Sequence, residues 1–228
     1  MPPTRLYIRH GNHIKADRWS RGSLNMKIIR TLFLAFAVMP AVPSAAAQMV
    51  EIAPFTGQRF GGSFEDANTS TEFKVADANA YGLIFDFDTE PDKQIEVYLS
   101  HQNTRLTTSG LYTGNPLFDL AIDYYHIGGL YMFTDGEKFR PFVSGTFGFT
   151  RMTPAPSDLN SETRFSISLG TGAKYYFGKT LGVRLDARGI YTAIDANTAV
   201  FCSGGCTIKV NSSGFIQTEV SAALIMRF

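Results

Sequence analysis

Three features of the 228-residue sequence predict an all-β fold, an eight-stranded antiparallel up-and-down transmembrane β-barrel. Apolar and polar residues alternate with a period of two through most of the chain after residue 48, which places successive side chains on opposite faces of a strand. The connections between these stretches are short and long in turn, so tight turns gather at one end and long loops at the other. A secretory leader precedes them.

The leader begins at Met26, in "MKIIRTLFLAFAVMPAVPSAAAQ". Lys27 and Arg30 supply a positive start, Thr31 to Val42 a short apolar run, and Ala45-Ala46-Ala47 a cleavage site ahead of Gln48. This is the three-part plan of a signal peptide. The run falls short of the ~20 residues a spanning helix needs, and Pro40 and Pro43 interrupt it. Residues 26–47 are therefore read as signal peptide, and 1–25 as a disordered start-site extension. Residues 48–228 form the body.

Charge follows the same division. Of 21 Lys and Arg and 20 Asp and Glu, the body keeps 14 basic and 19 acidic residues. An acidic body argues against nucleic acid as a partner, because phosphate backbones reward clustered Lys and Arg.

Eight strands follow in order: 49–60, 77–88, 93–103, 119–133, 138–152, 163–177, 181–194 and 213–228. Each is near or above the ~9–11 residues that cross a bilayer at a tilt. "TEPDK", "TDGEK" and "GKT" are tight turns, whereas 61–76, 104–118, 153–162 and 195–212 are long polar loops. The seventh strand, "LGVRLDARGIY", shows the faces best. Leu181, Val183, Leu185 and Tyr191 share one side; Arg184, Asp186 and Arg188 share the other. Apolar outside with small and charged residues inside is the pattern of a membrane barrel. Aromatics such as Tyr81, Phe87, Phe147, Phe149, Tyr175, Phe177 and Tyr191 fall near strand ends, where interfacial girdles sit.

The period assigns Glu51, Asp86, Glu96, Asp123, Asp186 and Glu219 inward. It sends Arg59, Arg140, Lys174, Arg184, Arg188 and Arg227 inward as well. Asp86, Glu96, Arg140, Lys174, Arg184 and Asp186 are expected to form one charge network near the tight turns, because unpaired charges in a confined space are costly. A packed polar core is preferred over an ion path, since eight strands enclose little more than side chains.

Chemistry beyond this is sparse. Cys202 and Cys206, in "FCSGGCTI", are expected to form a disulfide in a secreted loop. His101 follows Ser100 in "YLSHQ", but neighbours on a strand face opposite ways, so a rim histidine is favoured over a catalytic one. Ser109 and Asp119 are the residues that would have to approach it. His126 shares a face with Leu120, Ile122 and Tyr124. Either it faces lipid at mid-depth, which is unfavourable, or a bulge at Gly128-Gly129 shifts the register. No cofactor or metal pattern is present.

"APFTGQRFGGSFED", "RPFVSGTFGFTRM", "FSISLGTGAKYYFG" and the terminal aromatic resemble the bacterial outer-membrane β-barrel family. The match is to the eight-stranded group with the outer-membrane protein A barrel and the opacity-type adhesins, and it covers about 48–228. The resemblance implies a bacterial outer-membrane location with periplasmic termini, among lipid and lipopolysaccharide. It implies that Leu224, Met226 and Phe228 carry the signal read by the barrel-assembly machinery. The expected role is non-enzymatic: envelope integrity, or contact with a host or cell-surface ligand through the loops. A lipid-modifying enzyme using His101, or a narrow porin-like solute channel, is the alternative.

Overall fold

The computed structural model describes residues 49–65, 72–109, 118–133, 136, 138–157, 159–194 and 213–228. Eight strands close on themselves: β1 (Val50–Phe60), β4 (Ala78–Glu90), β5 (Lys93–Ser109), β6 (Phe118–Met132), β7 (Phe139–Pro154), β8 (Glu162–Tyr176), β9 (Leu181–Ala193) and β10 (Gly214–Arg227). Each pairs antiparallel with its neighbours, β1 closes against β10, and β5 pairs with both β4 and β6. These are the eight strands expected from the period. The third runs six residues further than expected, to Ser109.

Two short strands lie inside the first long connection, β2 (Ser63–Glu65) and β3 (Glu72–Val75). They continue the β1–β4 hairpin beyond the barrel. The chain bends between β1 and β2 at Gly61 and Gly62, whose φ angles of 77° and 106° suit glycine alone at little cost. Asp77 Oδ1 accepts from the Gly61 amide at 3.1 Å, and the Val75 amide donates to the Gly62 carbonyl at 2.8 Å. β3 then pairs with the outer end of β5, and its Phe73 and Val75 are buried in an apolar cluster with Leu106, Leu120, Ile194 and Phe215. Part of the expected polar loop 61–76 is thus a bent hairpin folded onto the barrel mouth.

The stagger follows from the registers. Paired residues lead from Tyr191 through Ile167, Phe147, Ile127, Val97, Phe85, Ile52 and Met226 back to β9 at Leu181, ten residues from the start. At ~3.3 Å per residue and ~4.8 Å between strands, that stagger gives a tilt of about 40° and a backbone radius of about 8 Å. The interior holds side chains and little else.

Inward and outward faces match the expectation on most strands. Ser166, Ser168, Lys174, Arg184, Arg188 and Glu219 are buried, whereas Phe165, Ile167, Leu169, Leu185, Ile216 and Val220 are exposed on the outside. β6 is the exception. Its Leu120, Ile122, Tyr124 and His126 face inward and are buried, while Asp123 faces outward with Tyr125 and Ile127. The registers with β5 and β7 run unbroken through Gly128 and Gly129, so no bulge occurs. Both faces of β6 are largely apolar, and apolarity alone therefore misassigns them.

Candidate functional site

Near the tight turns the interior holds a column of charges beside the buried apolar side chains of Leu130, Met132, Phe142 and Ile225, and near the long loops it is apolar. β10 and β1 set the bottom. Glu51 Oε1 accepts from Arg227 at 2.5 Å and from the Tyr176 hydroxyl at 2.7 Å. Glu51 Oε2 accepts from Lys174 Nζ at 2.7 Å. Lys174 also donates to Asp86 at 2.7 Å and to Gln94 at 2.6 Å. Arg184 comes next, bonded to Asp86 at 3.1 Å, to Glu96 at 2.7 Å and to Asp186. Arg188 shares Glu96 at 2.9 Å and Asp186 at 3.2 Å. Its guanidinium lies 4.3 Å over the Tyr98 ring, and the Tyr98 hydroxyl donates to Glu219 at 2.8 Å. Arg59 ends the column with Glu219 at 2.5 Å and Ser100 at 2.7 Å.

Five carboxylates and five cations therefore alternate from β10 to β1. Charge neutrality and mutual hydrogen bonding are what make such burial tolerable. Of the six residues expected in the lower network, five meet here. Arg140 stands apart: it faces in at the rim and donates to the Pro91 carbonyl at 2.8 Å, capping the β4–β5 turn. Tyr98, Tyr176, Gln94 and Ser100, which complete the column, carry no formal charge, so charge patterning does not reveal them.

A layer of side-chain hydrogen bonds lies beside the upper column, where β6 pairs His126 directly with Tyr98. His126 Nε2 lies 2.7 Å from Ser166 Oγ and its Nδ1 3.1 Å from Thr146 Oγ1. Thr146 meets Ser168 at 2.6 Å, and Arg188 donates to Ser168 at 3.2 Å. His126 is thus an inward residue of the polar core, not a lipid-facing one. Tyr124 donates to Gln217 at 2.7 Å, and Thr150 meets Thr192 at 2.9 Å. Beyond them the lumen turns apolar: Ile122, Met152, Ile190, Leu106, Leu120 and Phe215 close under Phe73 and Val75.

The outer surface shows the complementary pattern. Near the long loops its side chains become polar, with Arg105 and Asp119 at 3.2 Å and His101 Nδ1 and Asp123 Oδ1 at 2.6 Å. Asp123, expected inward, points out because β6 pairs it directly with His101. The residues proposed to complete a His101 site do not do so. Ser100 faces the lumen on Arg59, Asp119 is held by Arg105, and Ser109 lies opposite Glu72 further along β5. Leu224 and Phe228 are exposed on the outside. Cys202 and Cys206 lie outside the described residues. Among the described residues, no group of three His, Cys, Asp or Glu side chains is placed to hold a metal ion.

Solved structures share this architecture. Neisserial surface protein A is 13% identical, with 81% of this chain and 99% of that chain covered at a TM-score of 0.55. OprG from Pseudomonas aeruginosa is 12% identical over 80% and 96% of the two chains, also at 0.55. The outer membrane protein AlkL, solved in lipid bilayers, is 11% identical over 83% and 94%, at 0.55. At such identities the likeness is one of fold. A search of curated proteins finds no match. The profile of the family described as "Outer membrane protein beta-barrel domain" matches residues 32–215. With that match spanning most of a closed eight-stranded barrel, apolar outside and charged within, the chain belongs to the outer membrane protein beta-barrel family of the bacterial outer membrane.

Proposed function

We propose that this chain is a closed, non-enzymatic barrel that supports the outer membrane and presents its long loops to lipopolysaccharide, other cells or host surfaces. One observation carries the reading: the lumen is filled by the ten-charge column, the hydroxyl layer and the apolar cluster under the bent hairpin. Such an interior favours a structural element over a solute path. In this reading residues 26–47 are removed before Gln48, both termini lie in the periplasm, and Cys202 and Cys206 form a disulfide that stiffens the last loop. Leu224, Met226 and Phe228 present the last strand to the barrel-assembly machinery.

Planar-bilayer recording of the purified, processed protein tests the closed-barrel reading. The expected result is no stepwise conductance above the bare bilayer, together with detergent or osmotic sensitivity of a deletion strain. Reproducible unitary conductance from wild-type protein would contradict it. The assembly role has its own test. Deleting Phe228 should lower outer-membrane levels at least tenfold while leaving refolding yield into detergent nearly unchanged. Equal losses in both settings would mean that the residue acts through stability alone.

A further inference from the structure

Gly170 stands in the inward row of β8, between Ser168 and Lys174. It pairs directly with Ser144 on β7 and with Arg188 on β9. Its φ is not positive, so the backbone does not call for glycine, and glycine otherwise weakens a strand interior. The space beside it gives a reason. A Cβ added to Gly170 would lie 2.6 Å from Ser144 Oγ and 3.3 Å from Asp186 Oδ1. Both oxygens thus point at the place where a side chain is missing. Neither has a hydrogen-bond partner among the described residues, and neither does Arg188 Nε. Ser144 and Asp186 are each 5% exposed and Arg188 1%. Buried polar groups left unpaired cost more than an ordinary hydrogen bond contributes.

We infer that the notch at Gly170 binds one water molecule, which accepts from Arg188 Nε, donates to Asp186 Oδ1 and makes a third bond with Ser144 Oγ. The three groups are a donor, an acceptor and a hydroxyl that can be either, which is the set a single water satisfies. Charge selects the same ligand. A cation would stand beside Arg184 and Arg188, which both hold Asp186 through Oδ2. An anion would face the Asp186 carboxylate, with Glu96 beyond it on Arg188. The column already balances five carboxylates against five cations, so either ion would leave a buried charge uncompensated. The other polar neighbours are engaged. Lys174 spends its three donors on Glu51, Asp86 and Gln94, and Ser168 meets Thr146 and Arg188. Asp86 Oδ1 also lacks a partner among the described residues, but it is not one of the three atoms nearest the notch.

A crystal structure of the processed protein, at a resolution that orders internal solvent, tests the inference. Wild type should show one solvent peak at about 2.7–3.2 Å from Ser144 Oγ, Asp186 Oδ1 and Arg188 Nε. Crystals soaked in thallium or in bromide should show no anomalous peak there. Gly170→Ala should lose the solvent peak and lower the folded-to-unfolded ratio in urea about tenfold or more. The added methyl also crowds Ser144 Oγ, so a second pair separates crowding from loss of the water. Ser144→Ala/Gly170→Ala should remain less stable than Ser144→Ala alone, because Asp186 Oδ1 and Arg188 Nε still lose their partner. Gly189→Ala, on the outer wall where an added Cβ meets nothing within 4 Å, should lose no stability. A wild-type structure with no solvent peak at the notch would overturn the inference, and so would a thallium or bromide peak. A double variant as stable as Ser144→Ala, or equal losses at Gly170 and Gly189, would overturn it as well.

Discussion

The half of the barrel near the tight turns and the half near the long loops are built on opposite rules. Around Lys174 and Arg184 the interior carries the charge column, with Arg184 over the Phe142 ring and a small apolar cluster of Phe142, Leu130 and Met132, and the exterior is apolar, as Leu169 and Leu185 show. Around Leu106, Leu120 and Phe73 the interior is apolar and the exterior carries Arg105, Asp119, His101 and Asp123. The first is the arrangement a strand takes where lipid surrounds it, because apolar side chains satisfy lipid and the polar ones must pair within. The second is the arrangement of a soluble sheet, where burial of apolar surface from water drives packing. One strand can thus pass from one solvent to the other without changing its period; the outer face turns from apolar to polar while the inner face turns apolar.

The largest expected effect comes from breaking the charged half. Arg184→Leu leaves Asp86, Glu96 and Asp186 short of a partner in a buried site and should cost about 3–5 kcal/mol in reversible urea unfolding. A loss below about 1 kcal/mol would show that the column is not a buried, mutually compensated unit. High salt should change the wild-type value little, because buried pairs are poorly screened.

Truncation in the apolar half should cost less and act locally. Phe73→Ala removes a buried ring from the bent hairpin, an effect of about 3 kcal/mol if the ring contributes like other core phenylalanines. Amide exchange should speed up at Val75, bonded to Gly62, while the β8 and β9 amides keep their protection. Uniform loss of protection around the barrel would mean that the two halves are one cooperative unit.

The outer wall offers the sharpest contrast at a single substitution type. Leu169→Arg in the apolar belt should destabilise by about 2–3 kcal/mol, whereas Thr153→Arg at the long-loop end should cost less than about 1 kcal/mol. Similar costs at both would place the two positions in the same solvent. Smallest of all, Arg105→Ala breaks only an exposed pair with Asp119 and should shift stability by less than about 1 kcal/mol.

Most strand positions are legible from the sequence because period-two alternation and tight turns such as "TEPDK" leave little choice of register. The inner faces of β8, β9 and β10 are legible for the same reason, since Lys174, Arg184 and Glu219 sit opposite clear apolar rows. β6 is not. Leu120 and Ile122 look lipid-facing to a rule that equates apolar with outward, and Asp123 looks inward, yet that rule fails where the wall leaves the apolar belt. His126 is misread with them, because it shares their face. The bent hairpin escapes notice because Phe64, Phe73 and Val75 are the few large apolar residues of segment 61–76, and the burial of Phe73 and Val75 depends on Leu106 and Phe215 from distant strands. Arg140 has the right face for the charge column, but at the rim the Pro91 carbonyl is its partner. Such partner choices are set by the stagger of the closed barrel, which no single strand reveals.

The inversion of the two halves is tested most directly by nitroxide labels on the outward face of β7 in lipid vesicles. Labels would replace Val143, Phe147, Arg151 and Thr153 one at a time, in a background with Cys202 and Cys206 changed to Ser. Collision with dissolved oxygen reports lipid, and collision with a water-soluble nickel chelate reports solvent. Oxygen-dominated relaxation is expected at 143 and 147 and nickel-dominated relaxation at 153, with the crossover between 149 and 153. Oxygen-dominated relaxation at 153 would place the apolar-filled half within the membrane and contradict the inversion.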